Sequence, residues 1–333
     1  MRVVVTGGAG YIGSHLVARL VEQGDEVTVV DNGRTGHPEA LAPFAGVDWV
    51  ALDVSERDAL AALLRARGIQ AVYHFAAWSL VAESMSDPLR YYRNNVAGTE
   101  ALLSAMVAAG VRDCIFSSTA AVYGAAGLEP LTEDQPCAPT NPYGETKLAI
   151  ERMLAWAWRA YGIRSVSLRY FNAAGAHDRW PIGEDHRPET HLLPTLLGHL
   201  ARGEATPVSV YGTDYPTPDG TAIRDYIHVM DLAEVHVRAL AWLQDQAGAY
   251  AFNVGSGCGY SVRDVIRTVE RVTGRTLIVR EGPRRPGDPP HLVAAIDAAG
   301  RELGWRPQHS DLEFIVDTAW AWHRAHPHGY DPV

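Results

Sequence analysis

Apolar and polar positions along the chain fall into short unbroken apolar runs, each followed by a longer segment with apolar residues three and four apart. The runs are residues 2–6, 26–30, 48–52, 71–75, 113–118 and 165–170, and residues 14–23, 55–67, 91–109 and 143–161 repeat at the helical period between them. A continuous apolar run suits a strand covered on both faces, whereas a helical stripe faces one way. Their alternation predicts an α/β fold, a doubly wound parallel sheet with ligands at the carboxyl ends of its strands. Ser55 is the expected N-cap of the second helix.

From about residue 175 the pattern loosens into loops rich in Pro, His, Asp and Gly, with helices expected at 192–200, 231–243 and 262–273. At 333 residues, two lobes are the expectation. Pro216, Pro218, Pro283, Pro286, Pro289 and Pro290 mark rigid loops, not a linker.

The first run stops at Gly7-Gly8-Ala9-Gly10-Tyr11-Ile12-Gly13, spaced G-x-G-x-x-G from Gly8. Glycines there allow a tight turn, bring backbone N–H groups to a pyrophosphate and let the following helix pack close. The second run ends at Asp31, about where a ribose-binding carboxylate belongs, roughly 20 residues past the glycines. A carboxylate accepts from both ribose hydroxyls and repels a 2′-phosphate, so the expected cofactor is NAD, not NADP. The first lobe, 1–174, is therefore a Rossmann domain.

Apolar residues make up 47% and charged residues 20%, as in a folded globular chain. The net charge of −10 speaks against nucleic acid or an anionic membrane as partner, so an anionic ligand must be met by local arginines. Cys114, Cys137 and Cys258 are scattered, which fits a reducing compartment and no structural zinc. The first strand begins at residue 2 and no apolar run reaches the ~18 residues of a membrane span, so a cytoplasmic protein without signal peptide is expected. His177, Asp178, Glu184, Asp185, His186, Glu189 and His191 lack a ligand spacing of fixed form and are read as a solvated or substrate-covering loop with no metal. His323, His326 and His328 are expected to be exposed in the same way.

The fifth run ends in Ser117-Ser118-Thr119, and Tyr143 and Lys147 open the next helix at i and i+4, on one face. A phenol titrates near 10, so working as a base at neutral pH requires lowering it by roughly three pH units, about 4 kcal/mol. A neighbouring ammonium and a positive nicotinamide ring would supply that. Dinucleotide fingerprint, strand-end hydroxyl and Tyr-Lys pair together are what hydride transfer at a carbinol needs.

These segments, with Asp53-Val54, His74 to Ala77, Asn94-Asn95-Val96, Arg169 to Asn172, Gly183 to His186, Tyr211 to Gly220, Arg224 to Asp231, Arg285 to Asp288 and His326 to Tyr330, make the chain resemble the extended short-chain dehydrogenase/reductase family. Within it, the resemblance is to the enzymes that invert C4 of a UDP-hexose. It implies a smaller C-terminal substrate-binding α/β lobe, 175–333 in the main, with the chain free to cross between lobes.

It also implies roles for individual residues. Gly7, Gly10, Tyr11, Ile12, Gly13, Phe75, Ala76, Ala77, Asn95, Ser117 and Tyr170 would line NAD; Asp31 and Asn32 would hold the adenosine ribose, and Asp53 and Val54 the adenine. Tyr143 would be the acid/base, Thr119 would orient the sugar hydroxyl and Lys147 would clasp the nicotinamide ribose. Asn172, His191, Leu192, Val208, Tyr211, Arg224, Tyr226, Arg285 and Asp288 would bind the UDP-sugar. Arginines suit a diphosphate in an acidic protein on chemical grounds as well. A homodimer through the 91–109 and 143–161 helices is implied.

Two positions depart from the family's pattern. Trp78-Ser79 stands where many relatives have a lysine, and Leu292 lies near the position that gates sugar size. UDP-N-acetylhexosamines or UDP-pentoses are therefore alternative substrates for the same machinery. A 4,6-dehydratase needs an added acid and base after the hydroxyl residue, and Ala120-Ala121 supply neither. A non-catalytic NAD-binding protein would have no need of both Tyr143 and Lys147.

Overall fold

The computed structural model describes every residue except 125, 126, 205, 206, 286, 287, 332 and 333, so Pro286 and Gly287 lie outside the described residues. The first half runs β1 (Arg2–Thr6), α1 (Tyr11–Glu22), β2 (Glu26–Asp31), β3 (Asp48–Ala51), α2 (Arg57–Ala66), β4 (Ala71–His74), α3 (Val81–Ser86), α4 (Pro88–Tyr91), α5 (Gly98–Ala109), β5 (Asp113–Thr119), α6 (Pro142–Tyr161) and β6 (Arg164–Tyr170). The second runs β7 (Asn172–Ala174), α7 (Leu192–Ala201), β8 (Val208–Tyr211), β9 (Ile223–His228), α8 (Val229–Leu243), β10 (Ala249–Val254), β11 (Gly259–Ser261), α9 (Val262–Thr273), β12 (Val279–Gly282), β13 (His291–Leu292), α10 (Asp297–Glu302) and α11 (Leu312–Ala325).

Seven strands form one parallel sheet in the order β10-β6-β5-β4-β1-β2-β3. The apolar runs are two-sided, as their sequence requires: Val3 and Val5 of β1 face the α1/α8 core, and Val4 faces the core of α2, α5 and α6. Each such side chain contributes about 1.5–3 kcal/mol by leaving water. The order reverses between β1 and β4, which opens a crevice at their carboxyl ends.

The chain returns to this sheet late. β10 pairs with β6 from Ala249↔Ser165 to Val254↔Tyr170, and α8 packs on α1, tied by Arg19 and Glu234 at 2.8 Å. What remains of the second half makes a smaller lobe. There β9 pairs with β7, β11 and β13, β8 pairs with β12, and α7, α9 and α11 enclose a core around Leu196, Val265 and Ile315.

Several boundaries differ from expectation. Ser55 does not cap α2: Asp53 Oδ1 accepts both its N–H at 2.9 Å and its hydroxyl at 2.6 Å, and the helix begins at Arg57. The hydroxyl is spent on the preceding turn. The single helix expected over 91–109 is instead α4, a π-helical turn over Tyr92–Ala97 and α5.

Candidate active site

β1 delivers Gly7 to the crevice with φ +71°, and a Cβ there would lie 2.7 Å from the backbone nitrogen of Ala76 after β4. Glycine thus closes the switch point, and the first-turn N–H groups of α1, at Tyr11, Ile12 and Gly13, have no acceptor within the helix. Asp31, at the end of β2, is buried; its carboxylate accepts from Ala9 N–H at 3.1 Å and Gly33 N–H at 2.9 Å. Burial raises its pKa, opposed by those bonds. Asn32 donates to Asp53 Oδ2 at 2.7 Å, and the next residue, Val54, is buried in the core of α2, α5 and α6. This ring of backbone donors and carboxylates fits a dinucleotide: N–H groups for the diphosphate, acidic acceptors for ribose and adenine.

Asn95 sits on the π-helical turn, fully buried, and its amide grips Trp78 N–H at 2.9 Å, Trp78 C=O at 3.0 Å and Thr146 Oγ1 at 3.1 Å. It thereby fixes the turn that follows Phe75, Ala76 and Ala77. Trp78 itself lies under two guanidinium groups, Arg90 at 3.4 Å and Arg34 at 4.7 Å from its ring centre. Arg34 and Arg90 were not foreseen as neighbours of the groove.

The chemical groups meet where β5 ends and α6 begins. Asn141 caps α6 by accepting Gly144 N–H at 2.9 Å, which sets Tyr143 in the first turn. A Cβ on Gly144 would come within 2.5 Å of the Ala121 carbonyl, so only glycine lets Tyr143 approach the Thr119 loop. Lys147, 2% exposed, donates from Nζ to the Ser117 carbonyl at 2.6 Å, and its Nζ is 5.9 Å from the centre of the Tyr143 ring. Tyr170 is buried close by and bonds His236 Nε2, whose Nδ1–H in turn donates to Leu232 C=O at 2.7 Å. That bond fixes the neutral tautomer of a histidine the sequence did not flag.

The phenol differs from expectation in one respect. Burial pushes Tyr143 up to about 12, with the Thr119 hydroxyl pulling back, and burial brings Lys147 down to about 7 against the restoring field of Glu151. Enclosure outweighs the ammonium neighbour in the protein alone. Glu151, one turn beyond Lys147, forms a buried ion pair with Arg169 at 2.7 Å and accepts from Ser118 Oγ. It ties α6 to the strand carrying Ser117 and Thr119.

Facing these groups is the second lobe. Asn172 begins β7 and pairs with Tyr226 of β9; Arg224 pairs with Leu292 of β13 in register and its guanidinium bonds Asp288. Arg285 lies 4.1 Å over the exposed Tyr211 ring at the end of β8, whereas Val208 at its start is buried. Leu192 opens α7, and the His191 side chain turns away to Glu184 at 2.7 Å. Of the three histidines expected to be exposed, His328 is, whereas His323 is half-buried and His326 stacks on Trp322 at 3.9 Å.

The model of the NAD dependent epimerase/dehydratase family matches residues 3–255. The chain belongs to this family. A UDP-glucose 4-epimerase of Halalkalibacterium halodurans is 49% identical over 330 residues, covering 99% of this chain and 98% of that protein. Among solved structures, the UDP-glucose 4-epimerase of Brucella ovis in complex with NAD superposes with a TM-score of 0.92 at 45% identity, over 96% of this chain and 97% of the other. The Bifidobacterium longum UDP-glucose 4-epimerase in complex with NAD+ and UDP gives 0.92 at 37% identity, over 99% and 100%. The family's cofactor is NAD, in agreement with the Asp31 groove, and no helix among the described residues is long and apolar enough to cross a membrane.

Proposed function

We propose that the protein interconverts UDP-glucose and UDP-galactose by inverting C4 through a 4-keto sugar. The observation that carries this reading is the placement of Tyr143 between Thr119 and Lys147 at the carboxyl edge of the sheet, beside the Asp31 groove. Tyr143 takes the proton of the C4 hydroxyl, Thr119 aligns that hydroxyl, and Lys147 holds positive charge against the phenolate that forms. NAD, when bound, supplies the redox partner for C4 and a positive ring that offsets the burial cost of the phenolate. Once the 4-keto sugar has turned its other face to the groove, Tyr143 gives the proton back. Arg224, Arg285, Asn172 and Leu192 hold the UDP, and Asp31, Asn32, Asp53 and Val54 the adenosine half of the cofactor.

Purified protein incubated with UDP-galactose and no added NAD is expected to form UDP-glucose; failure both without and with NAD would sink the reading. A second substrate is favoured by Leu292, which lies in β13 beside Arg224 and is smaller than an aromatic ring. Turnover of UDP-N-acetylglucosamine measured alongside decides it, complete inactivity ending the idea. Trp156 and Tyr161 on α6 and Tyr92 on the turn that leads into α5 are exposed apolar side chains, and we assign them to a homodimer face; a monomer mass by light scattering would remove it. A cytoplasmic location goes with this reading and is tested by fractionating the cells that make the protein.

A further inference from the structure

Four of the seven residues that sequence spacing had set aside come together in the segment between β7 and α7. One ligand atom from each of Glu184, His186, Glu189 and His191 lies within 4.8 Å of the others. We propose that these four side chains bind one divalent transition-metal ion of the zinc type, pinning the segment that leads into Leu192.

The four groups already converge at hydrogen-bond and ion-pair distances. His191 Nδ1 is 2.7 Å from Glu184 Oε1 and 3.4 Å from Glu189 Oε1; His186 Nδ1 is 3.0 Å from Glu184 Oε1 and 3.6 Å from Glu189 Oε2. Bonds of about 2.0–2.2 Å to a tetrahedral zinc separate neighbouring donors by roughly 3.3–3.6 Å, so the two shorter separations open by about 0.3–0.9 Å to admit the ion. His186 Nδ1 is shielded from solvent and makes no well-aligned hydrogen bond among the described residues, although Glu184 Oε1 lies 3.0 Å away and Glu189 Oε2 3.6 Å away. A ring nitrogen enclosed beside two carboxylates must carry either a proton or a metal ion, and a metal takes the place of the proton.

Charge and donor type point the same way. Glu184 is only 5% exposed, and a buried carboxylate needs a positive partner, which protonated His186 and His191 supply until a cation displaces their protons. Two neutral imidazoles, two carboxylates and a divalent ion sum to zero. Mixed nitrogen and oxygen donors select zinc or cobalt over calcium or magnesium, which prefer oxygen alone.

The frame is built without the ion. Trp322 Nε1 donates to Glu184 C=O at 3.1 Å, His37 Nε2 bonds Asp185 C=O at 2.9 Å, and Tyr330 N–H donates to Asp185 Oδ2 at 3.0 Å. Glu189 Oε1 takes the N–H groups of Thr190 and His191, both at 2.7 Å, which turns Oε2 toward His186. A cavity of about 430 Å³, lined also by His199 and His323, opens on the cluster and gives an ion its entry.

The test uses tag-free, cofactor-loaded protein passed through metal-free buffer. Elemental analysis should find zinc at one ion per chain, or Co²⁺ added to zinc-free protein should develop the visible ligand-field bands of a four-coordinate site. His186→Ala and the near-isosteric Glu189→Gln should each weaken binding at least about tenfold, while His328→Ala leaves it unchanged. Circular dichroism checks that each variant folds. Only hexa-aqua cobalt bands together with no retained zinc, or equal binding by both ligand variants, overturns the site. In that case the carboxylates are neutralised by two imidazolium ions, and the histidine ring signals in NMR stay unmoved by zinc.

Discussion

At the carboxyl edge of the seven-stranded sheet the groove is walled by backbone and by side chains already fixed elsewhere: Gly7 against Ala76, Asp31 held by Ala9 and Gly33, Lys147 held by Ser117. Opposite, β8, β9 and β13 present long jointed side chains, with Arg224 on Asp288 and Arg285 over Tyr211. A wall of fixed groups holds one ligand in one pose, whereas arginines that exchange an internal partner for a phosphate close on a ligand and let it go. On the proposed function this division has a purpose: the cofactor stays while the sugar must turn between its two faces. Substitutions on the fixed side should therefore damage chemistry or stability, and those on the jointed side should damage substrate affinity.

The sharpest way to break the comparison is Tyr143→Phe. Loss of one acid/base group costs on the order of 10²–10⁴ in rate, so turnover should fall by about 10³ with the NAD content of the purified protein unchanged. Initial rates and cofactor released on denaturation measure the two. Undiminished turnover would end the role of the phenol; loss of NAD with turnover would make Tyr143 part of the cofactor wall instead.

Lys147→Met tests the fixed side through pH. Folding lowers the Lys147 pKa to about 7 by burial, below the unfolded value of about 10.4. Between those values the unfolded chain holds the extra proton, so raising the pH favours the folded state. Cofactor-free wild type should gain on the Met variant by up to about 1.4 kcal/mol per pH unit across that window, with no change in the difference below it. Urea midpoints across the window supply the measurement, and a flat difference would mean that Lys147 is well solvated.

What the sequence made legible follows the same division. Gly7 to Gly13, Asp31, Tyr143 and Lys147 act through local spacing, on consecutive elements of the sheet, and spacing is visible in a sequence. His236 reaches Tyr170 from 66 residues away, and Arg34 and Arg90 reach Trp78 from opposite sides in sequence, so nothing local announces either. β10 alternates as Ala-Tyr-Ala-Phe-Asn-Val, a pattern that serves an edge strand of either lobe, and only its register on β6 places it. The Glu184 to His191 cluster was set aside for irregular spacing, because convergence there comes from a loop clamped by Trp322 and Tyr330 rather than from a helix face.

The jointed side is tested by Arg224→Ala, with the smallest expected effect of the three. A charge-assisted hydrogen bond is worth about 1.5–3 kcal/mol, so KM for the UDP-sugar should rise roughly 10- to 100-fold while kcat and NAD content stay near wild type. Asp288 loses its partner in this variant, and on the proposed function it becomes an unpaired carboxylate facing the diphosphate, so Arg224→Ala with Asp288→Asn should recover part of the KM. That recovery separates a phosphate-binding arginine that Asp288 merely parks from one needed only to neutralise Asp288. If kcat fell with KM unchanged, Arg224 would belong to the rigid wall, and the division between the two sides would fail at the residue where it is drawn most sharply.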